Sequence, residues 1–176
     1  MRPTVTPIEV PGDSAISRHL ESSHFHDCYE TSIESAAPSA LDIYLGVVAQ
    51  TPSWINGLMV VRNRAVSIFD LKNLGPLGAV APAKPASAYR VGDRVGIFSL
   101  LELTDNEVIL GDHDKHLQVR LSVFKRHCGG RHSVAVSTVV HVHNMLGHVY
   151  MGFVAPVHKR IVPALLARVA LGPRGA

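Results

Sequence analysis

An alternating run of residues between Val91 and Asn144 does most to limit what this 176-residue chain can become. From His116 to Lys125, and again from His132 to His143, apolar and polar side chains alternate residue by residue. A period of two sends successive side chains to opposite faces of an extended strand. Each segment therefore acquires one greasy face and one bearing His, Arg, Gln and Ser. Gly129-Gly130 separates the two segments. Upstream, LLELT and EVILG flank Asp105-Asn106, residues that tolerate the positive φ of a tight hairpin. The pattern predicts four antiparallel strands in succession. If Lys125 faces His132 across the turn at His127 to Arg131, then Arg120 stands opposite Ser137, Gln118 opposite Val139 and His116 opposite His141. Asp114, His116, Gln118, Arg120, His141 and His143 then share one face, and an all-apolar set running from Leu117 to Val142 occupies the other.

Before this meander, His26 to Glu34 (HDCYETSIE) reads as a first strand on which Asp27 and Tyr29 share a face. Ser39 is placed to cap a helix carrying Leu41, Tyr44, Leu45 and Val48, with Asp42 in its first turn and Gln50 at its end. Thr51-Pro52 starts a second helix that runs to about Phe69. Asn73 to Arg90, rich in Gly, Pro and Ala, has no period and reads as a flap or a disordered segment. Beyond the meander, Gly147 to Val154 fits either a fifth strand or the lead-in to a helix. Pro156 to Leu171, with Val157, Ile161, Leu165 and Val169 at i, i+4 spacing, fits a long C-terminal helix that Pro163 is placed to kink.

A strand, two short helices, an antiparallel meander and a long helix make an α+β order. The expected architecture is a curved sheet wrapped around the last helix, with a cavity between them. Residues 1–24 form a loosely packed N-terminal arm, 25–171 a single domain and 172–176 a flexible tail. A chain of this length buries enough surface for one sizeable core.

The formal charge of +3 conceals an asymmetry: all fourteen Asp and Glu lie at or before Asp114. That part has 8 basic and 14 acidic residues, net −6, and the remainder has 9 basic residues and no acid, net +9. Interleaving of the two parts in one fold neutralises both. Few aromatics and no recognition-helix or RNP-like motif speak against nucleic acid. The apolar runs are broken by charges or Gly within about a dozen residues, shorter than a membrane span requires. Cys28 and Cys128 have no CxxC spacing and read as reduced thiols, so a cytoplasmic location is expected.

The strings PSWINGLMVVRNR, VGDRVGIF, EVILGDHDKHLQVRLSV and VVHVHNMLGHVYM resemble an uncharacterised bacterial family known as a domain of unknown function. The resemblance covers roughly residues 25 to 169 and is most specific at Asp114 to Leu117. The order of elements resembles START-like and polyketide-cyclase-like helix-grip proteins. The family also occurs fused behind NmrA-like NAD(P)-binding domains. The resemblance therefore implies a helix-grip fold and an association with an oxidoreductase, without catalytic residues. The chain has no GxGxxG after a strand, so no dinucleotide cofactor is expected.

The polar face holds the candidate site. Asp114, His116, His141 and His143 are open to three readings: ligands of a metal such as Zn or Fe, a histidine general acid or base oriented by a carboxylate, or a solvated polar face. Taken together the three favour no metal assignment. Arg120, at a strand centre, offers a fixed fork to a carboxylate or phosphate, and Tyr29 is placed to line the same pocket. No G-x-S-x-G, H-E-x-x-H or P-loop spacing occurs. The leading expectation is a domain that binds an apolar or weakly acidic small molecule. Its alternatives are a cyclase-, isomerase- or dehydratase-type enzyme using a pocket His with Asp or Arg, and an accessory domain docking on an NAD(P)-dependent oxidoreductase. A homodimer is a further expected assembly; the catalytic residues and the ligand's identity stay open.

Overall fold

A computed structural model describes residues 4–34, 37–58 and 84–169. The strands are β1 (Thr6–Pro7), β2 (Phe25–Ile33), β3 (Arg94–Val95), β4 (Phe98–Leu103), β5 (Glu107–His113), β6 (Leu117–Cys128) and β7 (Arg131–Val142). All pair antiparallel in one sheet of order β1-β2-β7-β6-β5-β4-β3. Helix α1 (Ala40–Ala49) and the long helix α2 (Met145–Val169) complete the fold, and residues 53–58 are also helical. This is an α+β, helix-grip-like arrangement: a curved antiparallel sheet with a long C-terminal helix. The rest of the second expected helix and most of the Asn73 to Arg90 segment lie outside the described residues.

The centre of the sheet is the β6–β7 hairpin, and its register differs from the expected pairing of Lys125 with His132. Gly129 and Gly130 take φ of 59° and 75°, so a two-residue turn suffices and the ladder extends to Cys128↔Arg131. Lys125 therefore faces Val134, Arg120 faces Val139 and Gln118 faces His141. Each partner moves by two positions, which preserves the assignment of side chains to faces, because only an odd slip exchanges them.

The apolar face meets the helices. Leu100, Val108, Leu110, Val123 and Val134 close over Leu41, Tyr44 and Val48 of α1 and Leu166 of α2 in one buried cluster. Each such side chain, once buried, contributes about 1.5–3 kcal/mol. Burial alone pushes the Tyr44 phenol well above its ordinary range. Ser39 caps α1 reciprocally: its hydroxyl accepts the Asp42 N–H at 3.1 Å and the Asp42 carboxylate accepts the Ser39 N–H at 3.0 Å.

Helix α2 starts earlier than the Pro156 boundary, absorbing Gly147 to Val154. Asn144 accounts for the start, since its Oδ1 accepts the Gly147 N–H at 3.1 Å. The seating of α2 also differs from the expected stripe. Val162 and Leu166 are buried, whereas Val157 is exposed and Ile161 and Leu165 are half-buried. A second row, Met145, Val149 and Phe153, faces water, with Phe153 77% exposed.

The opposite sheet face is covered by the N-terminal arm, which corrects the expectation of loose packing. Ala15–His19 form a 3-10 turn whose Ile16 is 0% exposed against Ile109 and Val139. The fixing point is Glu107. Its carboxylate accepts the Ser14 hydroxyl at 2.5 Å, the Ser122 hydroxyl at 2.6 Å and the Ala15 N–H at 2.8 Å. A buried carboxylate needs donors, and three converge on this one.

Candidate functional site

The expected site residues are divided among three places. Arg120 and His141 lie on the arm-covered face, opposite Val139 and Gln118 respectively. His141 Nε2 sits 3.1 Å from the Glu21 carbonyl. Near them, the arm's His19 is held below the ordinary histidine range by burial first, then by the Arg120 and Arg18 guanidiniums, with Glu102 opposing. The arm thus occupies the space where a ligand on this face was expected.

Asp114, His116 and His143 belong to the sheet's end. Asp114 Oδ1 accepts the N–H groups of His116 at 2.7 Å and Leu117 at 2.9 Å, so this carboxylate builds the β5–β6 turn. The His116 ring is buried with Nδ1 about 3.1 Å from Asn144 Oδ1, the residue that caps α2. The His116 carbonyl accepts the His143 N–H at 2.8 Å. Gly147 packs so closely here that a Cβ would stand 2.5 Å from the His116 carbonyl oxygen. His143 is exposed, edge-on to His113 with centroids 5.4 Å apart. Among the described residues no three His, Cys, Asp or Glu side chains converge on a point suited to a metal ion.

Tyr29 lies on the other face, toward the helices, and beside it on the same strand face is a buried carboxylate, Asp27. Asp27 precedes Tyr29 by two residues on β2 and pairs with Thr138, as Tyr29 pairs with Val136. The Asp27 side chain is only 9% exposed, and among the described residues neither of its oxygens receives a hydrogen bond. His158, projecting from α2, places Nε2 3.4 Å from Asp27 Oδ1 and 3.0 Å from Thr138 Oγ1. Nε2 is thus within hydrogen-bond distance of the Thr138 hydroxyl, whereas the Asp27 carboxylate is an ion-pair neighbour of the ring that receives no hydrogen bond from it. The Phe25 ring meets the His158 ring edge-on at 5.8 Å. Tyr29 is pushed above the usual phenol range by burial, reinforced by the Asp27 charge.

The seam between β2, β7 and α2 thus holds a carboxylate, an imidazole, a hydroxyl and a phenol in an apolar frame. The Asp27–Tyr29 pairing was visible in the alternation of β2. His158 was not, because nothing in the sequence fixes which turn of a 25-residue helix crosses that strand.

The fold and this seam define a one-sheet α+β domain with a polar group set between sheet and C-terminal helix. The chain belongs to the family described as protein of unknown function (DUF2867), whose model matches residues 19–165. It matches none of the curated proteins and none of the solved structures compared with it. No helix among the described residues is long and apolar enough to cross a membrane.

Proposed function

We propose that this domain binds a small molecule at the seam between the sheet and α2, through Asp27, His158 and Tyr29. The observation that carries the reading is the Asp27 carboxylate, almost fully buried and without a hydrogen bond from the described residues. Leaving a carboxylate without hydrogen bonds in an apolar setting is costly, and the His158 contact at 3.4 Å offsets that only when the ring is protonated. A ligand that supplies an O–H or N–H donor recovers that cost. The surrounding Phe25 and Tyr29 rings suit an apolar ligand, and a weakly acidic hydroxyl, such as a phenol or enol, meets both requirements. The buried, unpaired thiol of Cys28 suits a reducing, cytoplasmic setting.

The test is Asp27→Asn, read by native mass spectrometry of the purified protein and by thermal shift against hydroxylated aromatic compounds. The expected result is loss of any copurifying or added ligand, with the melting temperature of the ligand-free variant unchanged or raised, since an unpaired buried charge is removed. If Asp27 instead serves only as an ion-pair partner of His158, the variant unfolds more easily and ligand retention is untouched, which overturns the reading.

A second reading rests on the Thr138–His158–Asp27 contacts. Thr138 orients the imidazole, and a carboxylate beside an imidazole in an apolar seam is equipped to take and return a proton, as an isomerase or dehydratase requires. His158→Gln separates the two: binding survives it at reduced affinity, whereas proton exchange at the bound ligand's acidic carbon, followed by deuterium uptake, is abolished.

A further inference from the structure

The helix-facing side of the sheet carries a second cleft, at the other end of β2. Ile33 and Asp27 are six residues apart on that strand, which separates cleft and seam by about 20 Å. The cleft has a volume of about 340 Å³ and lies between the β6–β7 hairpin and the β4–β5 turn. Its lining is basic: Lys125, Arg126, His127 and His132 against the single acid Asp105.

Lys125 is the unusual member. Its side chain is only 8% exposed although it ends in an ammonium. The nearest acid is Asp105, whose Oδ2 lies 3.8 Å from Nζ, beyond hydrogen-bond length, and whose side chain is 83% exposed. A contact of that length to a well-hydrated carboxylate is a weak tie, so the ammonium remains available to an anion in the cleft it lines. Arg126 borders the cleft, but its guanidinium is engaged on the opposite face, where it binds Glu30 at 2.9 Å and Ser133 also donates at 2.8 Å. His127 and His132 pair across the hairpin with rings stacked at 4.5 Å and 21°. Lys125, His127 and His132 all line the cleft, so three side chains that carry N–H groups border one small volume, with Ile33 as an apolar wall.

We propose that this cleft binds a tetrahedral oxyanion of the phosphate class, with Lys125 as its charge partner and His127 and His132 as donors at the rim. The ammonium acts as a point charge, the role lysine takes in phosphate sites, and the imidazoles supply direction. Asp105 is a competitor for Lys125, displaced to solvent when the anion enters. The site is independent of the seam and stands without it.

The experiment is a titration of inorganic phosphate into the full chain at fixed pH and constant ionic strength, following the ring resonances of His127 and His132 by NMR. Chloride and acetate serve as the comparison anions. The expected result is a saturable shift with phosphate that chloride and acetate do not reproduce. Lys125→Met, which keeps the buried stem packed, weakens it tenfold or more, and Asp105→Asn tightens it severalfold. His127→Asn, at an exposed position where folding is not at risk, weakens it about threefold as seen from His132. The proposal is overturned if all three anions act alike, if phosphate gives no saturable shift, or if folded Lys125→Met or His127→Asn titrates like the wild type.

Discussion

Replacing Glu107 by Ala tests whether the N-terminal arm is part of the fold. The carboxylate receives hydroxyls from Ser14 and Ser122 and the N–H of Ala15, at 2.5 to 2.8 Å, and all three donors come from side chains or backbone close to this buried acid. Hydrogen bonds to a charged acceptor contribute about 1.5–3 kcal/mol each. Their sum is an overestimate of the effect, because the arm can leave. Once it undocks, water reaches Ser122 and Ser14, and the loss stops at the arm's own docking free energy. Ile16, the arm's own fully buried side chain, sets the scale of that docking at about 2–3 kcal/mol, with Val10 and Leu20 adding smaller amounts. A loss of about 2–4 kcal/mol in urea unfolding is therefore expected. It should be accompanied by exchange of the arm's amides at nearly the rate of an unfolded peptide, read by hydrogen exchange with mass spectrometry on peptides covering residues 8–24. Glu107→Gln keeps an acceptor for part of the network and should lose about 1–2 kcal/mol with partial protection. If Glu107→Ala unfolds within about 0.5 kcal/mol of the wild type and Ala15 stays protected, the three hydrogen bonds do not hold the arm and the reasoning fails.

Arm docking should also depend on pH through His19. Its pKa is lowered in the folded protein, so its contribution is present above the unfolded value of 6.5 and is lost as pH falls through the folded value. Arm amides should exchange faster at about pH 5.5 than at about pH 7.5 after correction for intrinsic rates, and His19→Gln should flatten that difference. Gly147→Ala should cost about 1–3 kcal/mol in denaturant unfolding, because the added Cβ meets the His116 carbonyl oxygen at 2.5 Å and Val142 Cγ1 at 2.7 Å, neither a flexible chain end. The Cys28 thiol is buried against the Ser137 hydroxyl and pushed above its ordinary range by burial. Native alkylation at Cys28 should therefore be far slower than in urea, as mass mapping of the modified peptide will show.

Much of the scaffold was legible in the residues themselves. The alternation of β6 and β7, the Ser39–Asp42 cap of α1 and the facing of Val123 and Val134 into the core all follow from local period and capping chemistry. The hairpin register was missed by two positions because it depends on the conformation of Gly129 and Gly130, and glycine permits a tight or a wide turn equally. The face assignment survived, since parity is a property of the strand alone. The start of α2 was missed although Asn144 carries the capping signal. The stretch after it, Gly147 to Val154, matched strand and helix readings alike, and in the fold the row Met145, Val149 and Phe153 remains exposed.

The candidate site divides along the same line. The polar face bearing Arg120 and His141 was correctly drawn as one surface, but its meaning depends on what lies over it. Contact between Ile16 and Val139 bridges more than a hundred residues, and no local pattern announces it. Asp27 and Tyr29 were placed together by their spacing on β2, whereas His158 joined them only through the packing of α2 across that strand. The sequence by itself determined the strands, their faces and the class of fold, because period and capping act between near neighbours. Which polar groups meet, and which of them are left buried without a partner, was decided only by tertiary packing, where long-range burial sets the cost of every unpaired charge.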